Sequence, residues 1–352
     1  MSELPYTPPV SPSGWVEVQA TTNLTAPDSP VNGYRVVDGR TGFSLANVVL
    51  DLPWDRGAVR GRLAVQTGLT PSSYYAAEPS WRGEAGVGSS DASLWRHLLE
   101  AWAGGSVAPD WAVDAGLFLS PIGPESVPVR SNDTWSRSNL FYALPYYHSG
   151  LRATWDVAPG HGLAFWMTNG WNAVVDGPPG LSPMVQWTSR PRAGLESSLL
   201  LALSQERGPD APEGRPWRSL LDGHLTWRPD RWWKWVAHAN VGSEAGAAGW
   251  VQWQAAAVTA VASVHDRLDL AVRLDGFREE RVGLGGRIPG AIFWPVPWVR
   301  SLTATATWKP HKDWQWRLEA RHDEAAEGLY PGYGGQVSPV QDTLTVGMVQ
   351  GF

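Results

Sequence analysis

Short segments in which apolar and polar residues alternate recur along the whole chain, and Gly, Pro, Asn and Asp separate them. A period of two is the pattern of a β-strand with one apolar and one polar face. The last segment, residues 342–352, is broken only by Gln350; its apolar positions are Leu344, Val346, Met348 and Phe352. Such a strand with an aromatic end is typical of a transmembrane β-barrel, although the last strand of a soluble β-sandwich would show the same alternation.

The alternation predicts sixteen strands along the chain. The segment from Leu94 to Trp102 is ambiguous, because Leu94, Leu98 and Trp102 are spaced by four, as in an amphipathic helix. An antiparallel meander requires consecutive strands to run in opposite directions, so we interpret this segment as a strand, and fourteen strands is the alternative. The predicted strands lie near residues 14–20, 42–51, 59–68, 93–103, 110–119, 147–156, 162–169, 183–189, 194–204, 218–227, 232–242, 249–259, 267–278, 299–309, 314–322 and 342–352.

The connections between these strands alternate in length. Short turns such as Ala158-Pro-Gly-His161 and Arg228-Pro-Asp-Arg231 follow every second strand. Outer-membrane barrels have short periplasmic turns and longer outer loops. The pattern therefore predicts an all-β, antiparallel, up-and-down transmembrane barrel. The long loops lie at 69–92, 120–146, 170–182, 205–217, 279–298 and 323–341.

Composition supports a single large domain. The 352 residues contain no linker-like shift in composition, so we expect an N-terminal periplasmic extension at 1–13 and one barrel over 14–352. The chain has 23 Trp against 7 Phe and 9 Tyr. Indole rings favour the interface between hydrocarbon and headgroups, so two tryptophan belts are expected. The alternative is a soluble protein that stacks polysaccharide on a tryptophan-rich face.

Several other classes of protein are disfavoured. The net charge of −6 argues against nucleic acid as a partner, because counterion release requires a basic face. No metal-ligand spacing, cofactor motif or catalytic motif is present, so we expect no cofactor, no metal and no enzyme activity; residues 283–290 fail the dinucleotide pattern at Ile288. The absence of cysteine is compatible with an envelope protein. Residues 1–5 do not begin a secretory signal, so we expect a mature chain located in the outer membrane.

The central part of the chain resembles the OmpL-like β-barrel porin-2 family. The segments that carry the resemblance are 115–125, 132–141, 144–153 and Thr168-Asn-Gly-Trp171. Further similar segments lie at 35–38, 43–47, 217–222, 321–323 and 341–345. The resemblance implies a pore in the outer membrane of a Gram-negative bacterium, and it implies no particular solute.

The residues that line the barrel would set its chemistry, and strand phase predicts which ones face inward. If Leu151, Ala153 and Trp155 face lipid, Arg152 and Asp156 face the lumen. The same phase selects further charged residues on three later strands. These candidates are Lys234, Asp269, Arg273, Asp275, Arg317 and Glu319. Many of them could instead pair with wall neighbours and stabilise the sheet.

The loop at 120–146 is the candidate constriction. A loop of this length without regular structure is usually functional, and folded into the lumen it would place both signs of charge across the pore. Its candidate residues are Glu125, Arg130, Asp133 and Arg137. A loop packed on the outer surface is the alternative.

Together these features indicate a passive diffusion channel for small hydrophilic solutes with weak charge selectivity. A channel specific for one solute class, such as sugars, is the alternative within the same architecture. The expected partners are outer-membrane lipid, lipopolysaccharide and the solutes, and the architecture is compatible with a homo-oligomer.

Overall fold

The computed structural model describes residues 12–25, 32–35, 37, 41–80, 89–175, 180–207, 214–246, 249–282 and 292–352. The predicted N-terminal extension at 1–13 lies outside these ranges except for its last two residues.

Sixteen long strands form the body of the protein. Their bounds are β1 Ser13–Asn23, β2 Gly42–Asp55, β3 Val59–Thr67, β4 Leu98–Ala108, β5 Trp111–Leu119, β6 Tyr147–Ala158, β7 His161–Thr168, β8 Ser182–Arg192, β9 Leu195–Ser204, β10 Arg218–Trp227, β11 Trp233–Gly246, β12 Gly249–His265, β13 Leu268–Arg281, β14 Trp298–His311, β15 Trp314–Ala325 and β18 Val340–Gly351. The other elements of the described residues are a two-stranded ribbon, three short α-helices and three single-turn 3₁₀ helices: β16 Tyr330–Pro331, β17 Val337–Ser338, α1 Leu69–Tyr74, α2 Ala92–Trp95, α3 Asn139–Tyr142, and the 3₁₀ helices Tyr75–Ala77, Val129–Ser131 and Tyr333–Gly335.

The sheet closes on itself. Each of β1 to β15 pairs antiparallel with its neighbours in the chain, β15 pairs with β18, and β18 pairs with β1. At the seam, Trp15 lies opposite Gly351 and Val18 opposite Met348. The prediction of a sixteen-stranded, antiparallel, up-and-down barrel is therefore confirmed. We call the end with the short turns the inner end, because such turns are periplasmic in this architecture.

Alternation along each strand separates a lipid-facing surface from a lumen-facing one. Along β12, Trp253 is buried in the lumen, whereas Trp250 and Val258 are exposed on the outside. Leu274 of β13 and Leu318 of β15 also face outward and are exposed. An apolar band of this kind on the outside of the barrel is suited to contact with lipid rather than with water.

The segment near Leu94 differs from the prediction. Residues Ala92–Trp95 form one helical turn, and the strand begins only at Leu98 and extends to Ala108. The Asp91 carboxylate accepts the Ser93 N–H at 2.7 Å and caps this turn. A local cap thus fixes the first residues as a helix, while barrel pairing fixes the rest as a strand.

The tryptophans do not form two equal belts among the described residues. The inner end carries most of the outward-facing rings: Trp54, Trp111, Trp155, Trp187, Trp227, Trp233, Trp235, Trp308, Trp314 and Trp316. Trp217, Trp250 and Trp298 lie at the outer end. A third group packs inside the barrel: Trp15, Trp102, Trp135, Trp166, Trp171, Trp253 and Trp294. Interior packing was not part of the sequence-based expectation. None of the helices in the described ranges is long and apolar enough to span a membrane.

Candidate pore and its inward-folded loop

The connection between β5 and β6, residues 120–146, contacts the inner surface of the barrel wall; we call it the lumen loop. Trp135, Arg137 and Leu140 of this loop are each at most 1 % exposed. Its backbone and side chains hydrogen-bond to inward-facing residues of β1, β10, β11, β13 and β15. Because the wall donors and acceptors come from several strands, the loop is held at many points.

Wall carboxylates accept the backbone N–H groups of the lumen loop. Glu319 accepts from Trp135 at 2.6 Å and from Ser136 at 2.9 Å. Asp275 accepts both the backbone and the side-chain N–H groups of Asn139 at 2.8 Å. Carboxylates that accept N–H groups make charge-assisted bonds, so these contacts are strong anchors.

Wall guanidinium groups bind the carbonyl oxygens of the same loop. Arg317 donates to the Thr134 carbonyl at 2.9 Å, and Arg273 donates to the Ser136 carbonyl at 2.6 Å. Arg273 also pairs with the Glu125 carboxylate at 2.9 Å. The four predicted wall residues Arg273, Asp275, Arg317 and Glu319 are buried under the loop. In this conformation they hold the loop rather than face open water, because its backbone supplies their partners.

The four predicted loop residues have different environments. Glu125 is half-buried and accepts the Ser138 N–H at 3.0 Å. Arg137 is fully buried and donates to the Trp135 carbonyl at 3.2 Å. Arg130 is exposed, with its guanidinium 4.6 Å from the centre of the Trp15 ring. The fourth, Asp133, pairs across the lumen with the wall.

A small cavity separates the lumen loop from β10, β11 and β12. The Lys234 ammonium binds the Asp133 carboxylate at 2.6 Å on its border. The cavity has a volume of about 200 Å³, and Glu125, Arg273 and His238 also line it. Both signs of charge therefore meet across a narrow space in the inner half of the lumen.

The opposite wall carries a second charged cluster. Asp114 is fully buried and binds Arg60 at 2.9 Å and Arg152 at 2.8 Å. The Arg152 guanidinium lies 5.0 Å from the Trp102 ring centre. Asp156 is exposed, and it lines a cavity of about 410 Å³ together with these arginines. The remaining candidate, Asp269, accepts from Ser263 at 2.8 Å and pairs with Lys309.

The outer half of the lumen is filled. One inward-facing side chain near the outer end of each of the sixteen strands, a set that we call the outer ring, is at most 7 % exposed. By contrast, Asp156 and Thr188 in the inner half are exposed. The outer ring consists of Thr21, Asn47, Gln66, Glu100, Phe118, His148, Trp166, Met184, Ala202, Leu220, Glu244, Trp253, Phe277, Val299, Ala325 and Thr343.

Apolar side chains from the wall and from several loops join into one cluster at this level, which we call the apolar layer. The wall contributes aromatic and aliphatic residues from β5 to β15, and the lumen loop contributes Ile122, Leu140 and Leu144. The connection between β7 and β8 adds Trp171, and the connection between β13 and β14 adds Trp294 and Val296. The layer thus reaches from one side of the barrel to the other.

Buried carboxylates also anchor the other loops. Glu279 accepts the N–H groups of Ile292 at 2.6 Å and Phe293 at 2.9 Å. Glu206 accepts the Trp171 N–H at 3.1 Å, and burial raises the pKa of its carboxyl. Glu279 thus holds Phe293, between β13 and β14, and Glu206 holds Trp171, between β7 and β8, at the apolar layer.

Glu78, after α1, anchors the outer loops in the same way. Its carboxylate accepts the Tyr147 hydroxyl at 2.7 Å and the Val174 N–H at 3.0 Å. Burial raises the pKa of Glu78, and these two hydrogen bonds oppose the shift. The loop between β3 and β4 is thereby joined to the start of β6 and to the loop after β7.

Sequence reasoning missed the anchoring residues Glu279, Glu244 and Gln19. Glu244 accepts from Arg207, in the connection after β9, at 3.0 Å, and Gln19 accepts the indole N–H of Trp135 at 2.6 Å. The signal was present for two of them, because Glu279 follows Asp275 at an even spacing on β13, and Glu244 follows His238 in the same way on β11. Strand phase places them inward. Their partners could not be inferred, since those lie on loops.

A closed barrel with an apolar outer band and a lumen that holds an inward-folded loop defines a porin-type protein. The profile of the family described as "Putative beta-barrel porin-2, OmpL-like" matches residues 9–352. The chain belongs to this family, and it is an outer-membrane channel. The family and the fold indicate a channel rather than an enzyme. No curated protein matches the chain.

Solved structures with a similar fold are outer-membrane proteins of low sequence identity. The outer membrane channel DcaP of Acinetobacter baumannii is 11 % identical, with a TM-score of 0.64 and coverage of 97 % of each chain. The anion-selective porin from Comamonas acidovorans is 12 % identical, with a TM-score of 0.61 and coverage of 97 % of this chain and 99 % of that one. The trimer form of OmpT of Vibrio cholerae is 8 % identical, with a TM-score of 0.60 and coverage of 97 % and 99 %.

Proposed function

We propose that the protein is a passive diffusion channel for small hydrophilic solutes with weak charge selectivity. The observation that carries the proposal is the pairing of Lys234 with Asp133 and of Arg273 with Glu125 around one cavity. Opposite charges that alternate around a constriction exclude neither cations nor anions strongly. One similar structure is described as anion-selective. Because each cationic side chain at this cavity has an acidic partner, we expect this channel to prefer anions less strongly than an anion-selective porin does.

In this proposal the pore-lining residues fall into two groups. Glu125, Asp133, Lys234, Arg152 and Asp156 border the cavities of the inner half and act on the solute. The second group belongs to the lumen loop or holds it in place, and thereby sets the size limit: Arg130, Arg137, Arg273, Asp275, Arg317 and Glu319. Asp269 belongs to neither group, because it bonds to Ser263 and Lys309 of the wall.

The test is single-channel conductance of the purified protein in a planar bilayer under a salt gradient. Weak selectivity predicts a reversal potential close to zero, and a potential near the Nernst limit of either ion would contradict it. Swelling of protein-containing liposomes in neutral sugars and zwitterions of increasing size would then give the size limit.

A channel specific for sugars is the second candidate, and the Trp102 ring favours it. This ring is half-buried and lies beside the 410 Å³ cavity, where Arg60 and Arg152 supply donors next to an aromatic face. Specificity predicts that one sugar blocks the ion current in a saturable manner. A Trp102→Ala variant would abolish this block, whereas general diffusion predicts no saturation.

We also propose contact with lipopolysaccharide and assembly into a homo-oligomer. The lipid-facing side of the outer end carries ion pairs between Arg278 and Glu280 and between Arg300 and Glu324. Charged groups at this depth suit the headgroup region. The molar mass of the protein in detergent, measured by light scattering, would distinguish a monomer from an oligomer.

A further inference from the structure

We propose that the outer half of the lumen is a gate, closed in this conformation, whose moving part is the segment of residues 292–296. We call this segment the gate segment, and the Glu279 carboxylate is its latch. The inference deepens the proposed function and rests on it, because the gate would control the same passage.

The apolar layer closes the gate over the wall from β5 to β15. Trp166 on β7 and Val299 on β14 belong to the same cluster, with Leu140 and Trp294 from loops as further members. The whole outer ring is buried, so water does not reach the described wall there. Hydrophobic constrictions close channels by excluding water, and ions do not enter without it.

The backbone hydrogen bonds described for the gate segment converge on one wall residue, Glu279. The lumen loop is tied to Glu319, Asp275, Arg317 and Arg273 by many hydrogen bonds. Within residues 292–296, the N–H groups of Ile292, Phe293 and Trp294 all bond to the single Glu279 carboxylate. Loss of one acceptor would therefore free this segment while the lumen loop remained attached.

Ring contacts complete the closed arrangement. The Phe293 ring lies 5.1 Å from Trp253 of the wall and 5.9 Å from Trp171 of the neighbouring loop, measured between ring centres. The Arg218 guanidinium lies 4.6 Å from the Trp171 ring centre and 5.4 Å from that of Phe293. Movement of the gate segment would break the contacts of the Phe293 ring with Trp253, Trp171 and Arg218 together.

The experiment measures opening by the reactivity of one thiol. The chain has no cysteine, so Ala202→Cys introduces a single thiol into the apolar layer, at a position that is 3 % exposed. In otherwise wild-type protein reconstituted in liposomes, we expect slow labelling by a small water-soluble maleimide. Adding Glu279→Gln, which leaves only one acceptor oxygen for three N–H groups, should accelerate labelling at least tenfold.

Glu280→Gln is the matched control, because it makes the same chemical change one residue away on the lipid-facing side. It should leave the labelling rate unchanged. Phe293→Ala is a second opening variant in case Glu279→Gln does not fold, with folding judged by heat-modifiable migration on gels. Fast labelling without any latch mutation, or equal rates in all variants, would overturn the gate.

Conductance of the same proteins separates the gate from the proposed function. Faster labelling together with a higher open probability in Glu279→Gln supports both. Faster labelling with no ion current in any variant supports the gate and rejects diffusion of small ions. A steady current that is equal in wild type, Glu279→Gln and Glu280→Gln supports the channel and rejects the gate.

Discussion

The Trp135 ring lies directly against the backbone of Gly347, and a Cβ atom at Gly347 would come within 2.2 Å of that ring. The indole N–H of Trp135 donates to Gln19 at 2.6 Å, which fixes the ring in this notch. A glycine on β18 therefore determines how closely the lumen loop approaches the wall. Any side chain at this position would push the loop toward the centre of the lumen.

Gly347→Val is expected to lower the single-channel conductance, because the displaced ring narrows the cavity beside Lys234. Overpacking of a buried site also costs about 1–3 kcal/mol of stability. Gly276→Val is the control, since Gly276 faces outward and its nearest neighbouring atom is 3.7 Å from the added Cβ. Equal conductance in the two variants would contradict a positioning role for the notch.

Glu319→Gln should have the opposite effect and produce a larger, noisier current. The two carboxylate oxygens of Glu319 accept the Trp135 and Ser136 N–H groups, one each. The glutamine amide has a single oxygen, so one of the two N–H groups would lose its acceptor. A buried donor without its acceptor costs about 1–3 kcal/mol, so the loop loosens. Glu324→Gln provides the comparison because Glu324 pairs with Arg300 on the outer face. The two variants are compared by the variance of the open-channel current.

Lys234→Gln should shift the reversal potential toward cation preference. The substitution leaves the Asp133 carboxylate without its partner at the 200 Å³ cavity. The effect should weaken as salt is raised, since screening shortens the range of the charge. Lys312→Gln, an exposed lysine in a short turn, should leave the reversal potential unchanged. Identical potentials in both variants would show that the cavity is not on the ion path.

Leu274→Arg should destabilise the barrel by about 2–4 kcal/mol, because Leu274 faces lipid midway along β13. Val282→Arg makes the same change at the outer end of the strand, where the expected cost is about 0–1 kcal/mol. Urea unfolding from lipid vesicles gives both free energies. If the two substitutions lowered the free energy of unfolding equally, Leu274 would not lie at the centre of the membrane with Val282 near its surface.

Glu78→Gln should change how stability depends on pH. Burial raises the pKa of Glu78, so folding favours its protonated form. That contribution is fully present below the ordinary value of 4.5 and is lost as pH rises through the raised pKa.

The free energy of unfolding of the wild type, relative to Glu78→Gln, should therefore fall as the pH rises from 4.5 through the raised pKa. Unfolding in urea at a series of pH values measures this difference. Glu327→Gln, a change at an exposed loop carboxylate, serves as the control. If the free energy of unfolding changed with pH in the same way in the wild type and in Glu78→Gln, protonation of Glu78 would not be coupled to folding.

The sequence by itself determined the barrel. Strands in a lipid-facing sheet must keep a period of two, and that period gave the inward phase of residues such as Arg152 and Lys234. The strand number needed a second argument at Leu94–Trp102, where the antiparallel order of neighbouring strands decided between a helix and a strand. The one misplaced strand start, at Leu98, reflects the local cap at Asp91. The length of the loop at 120–146 indicated a functional segment.

Only the tertiary structure decided what the lumen residues contact. Arg273 and Glu319 are inward by phase, yet their partners lie in the lumen loop, more than a hundred residues earlier in the chain. The notch of Gly347, the latch of Glu279 and the apolar layer likewise join distant segments. Strand periodicity indicates whether a residue faces the lumen or the lipid. It carries no information about which loop covers that face, because loop packing depends on shape and hydrogen bonding in three dimensions.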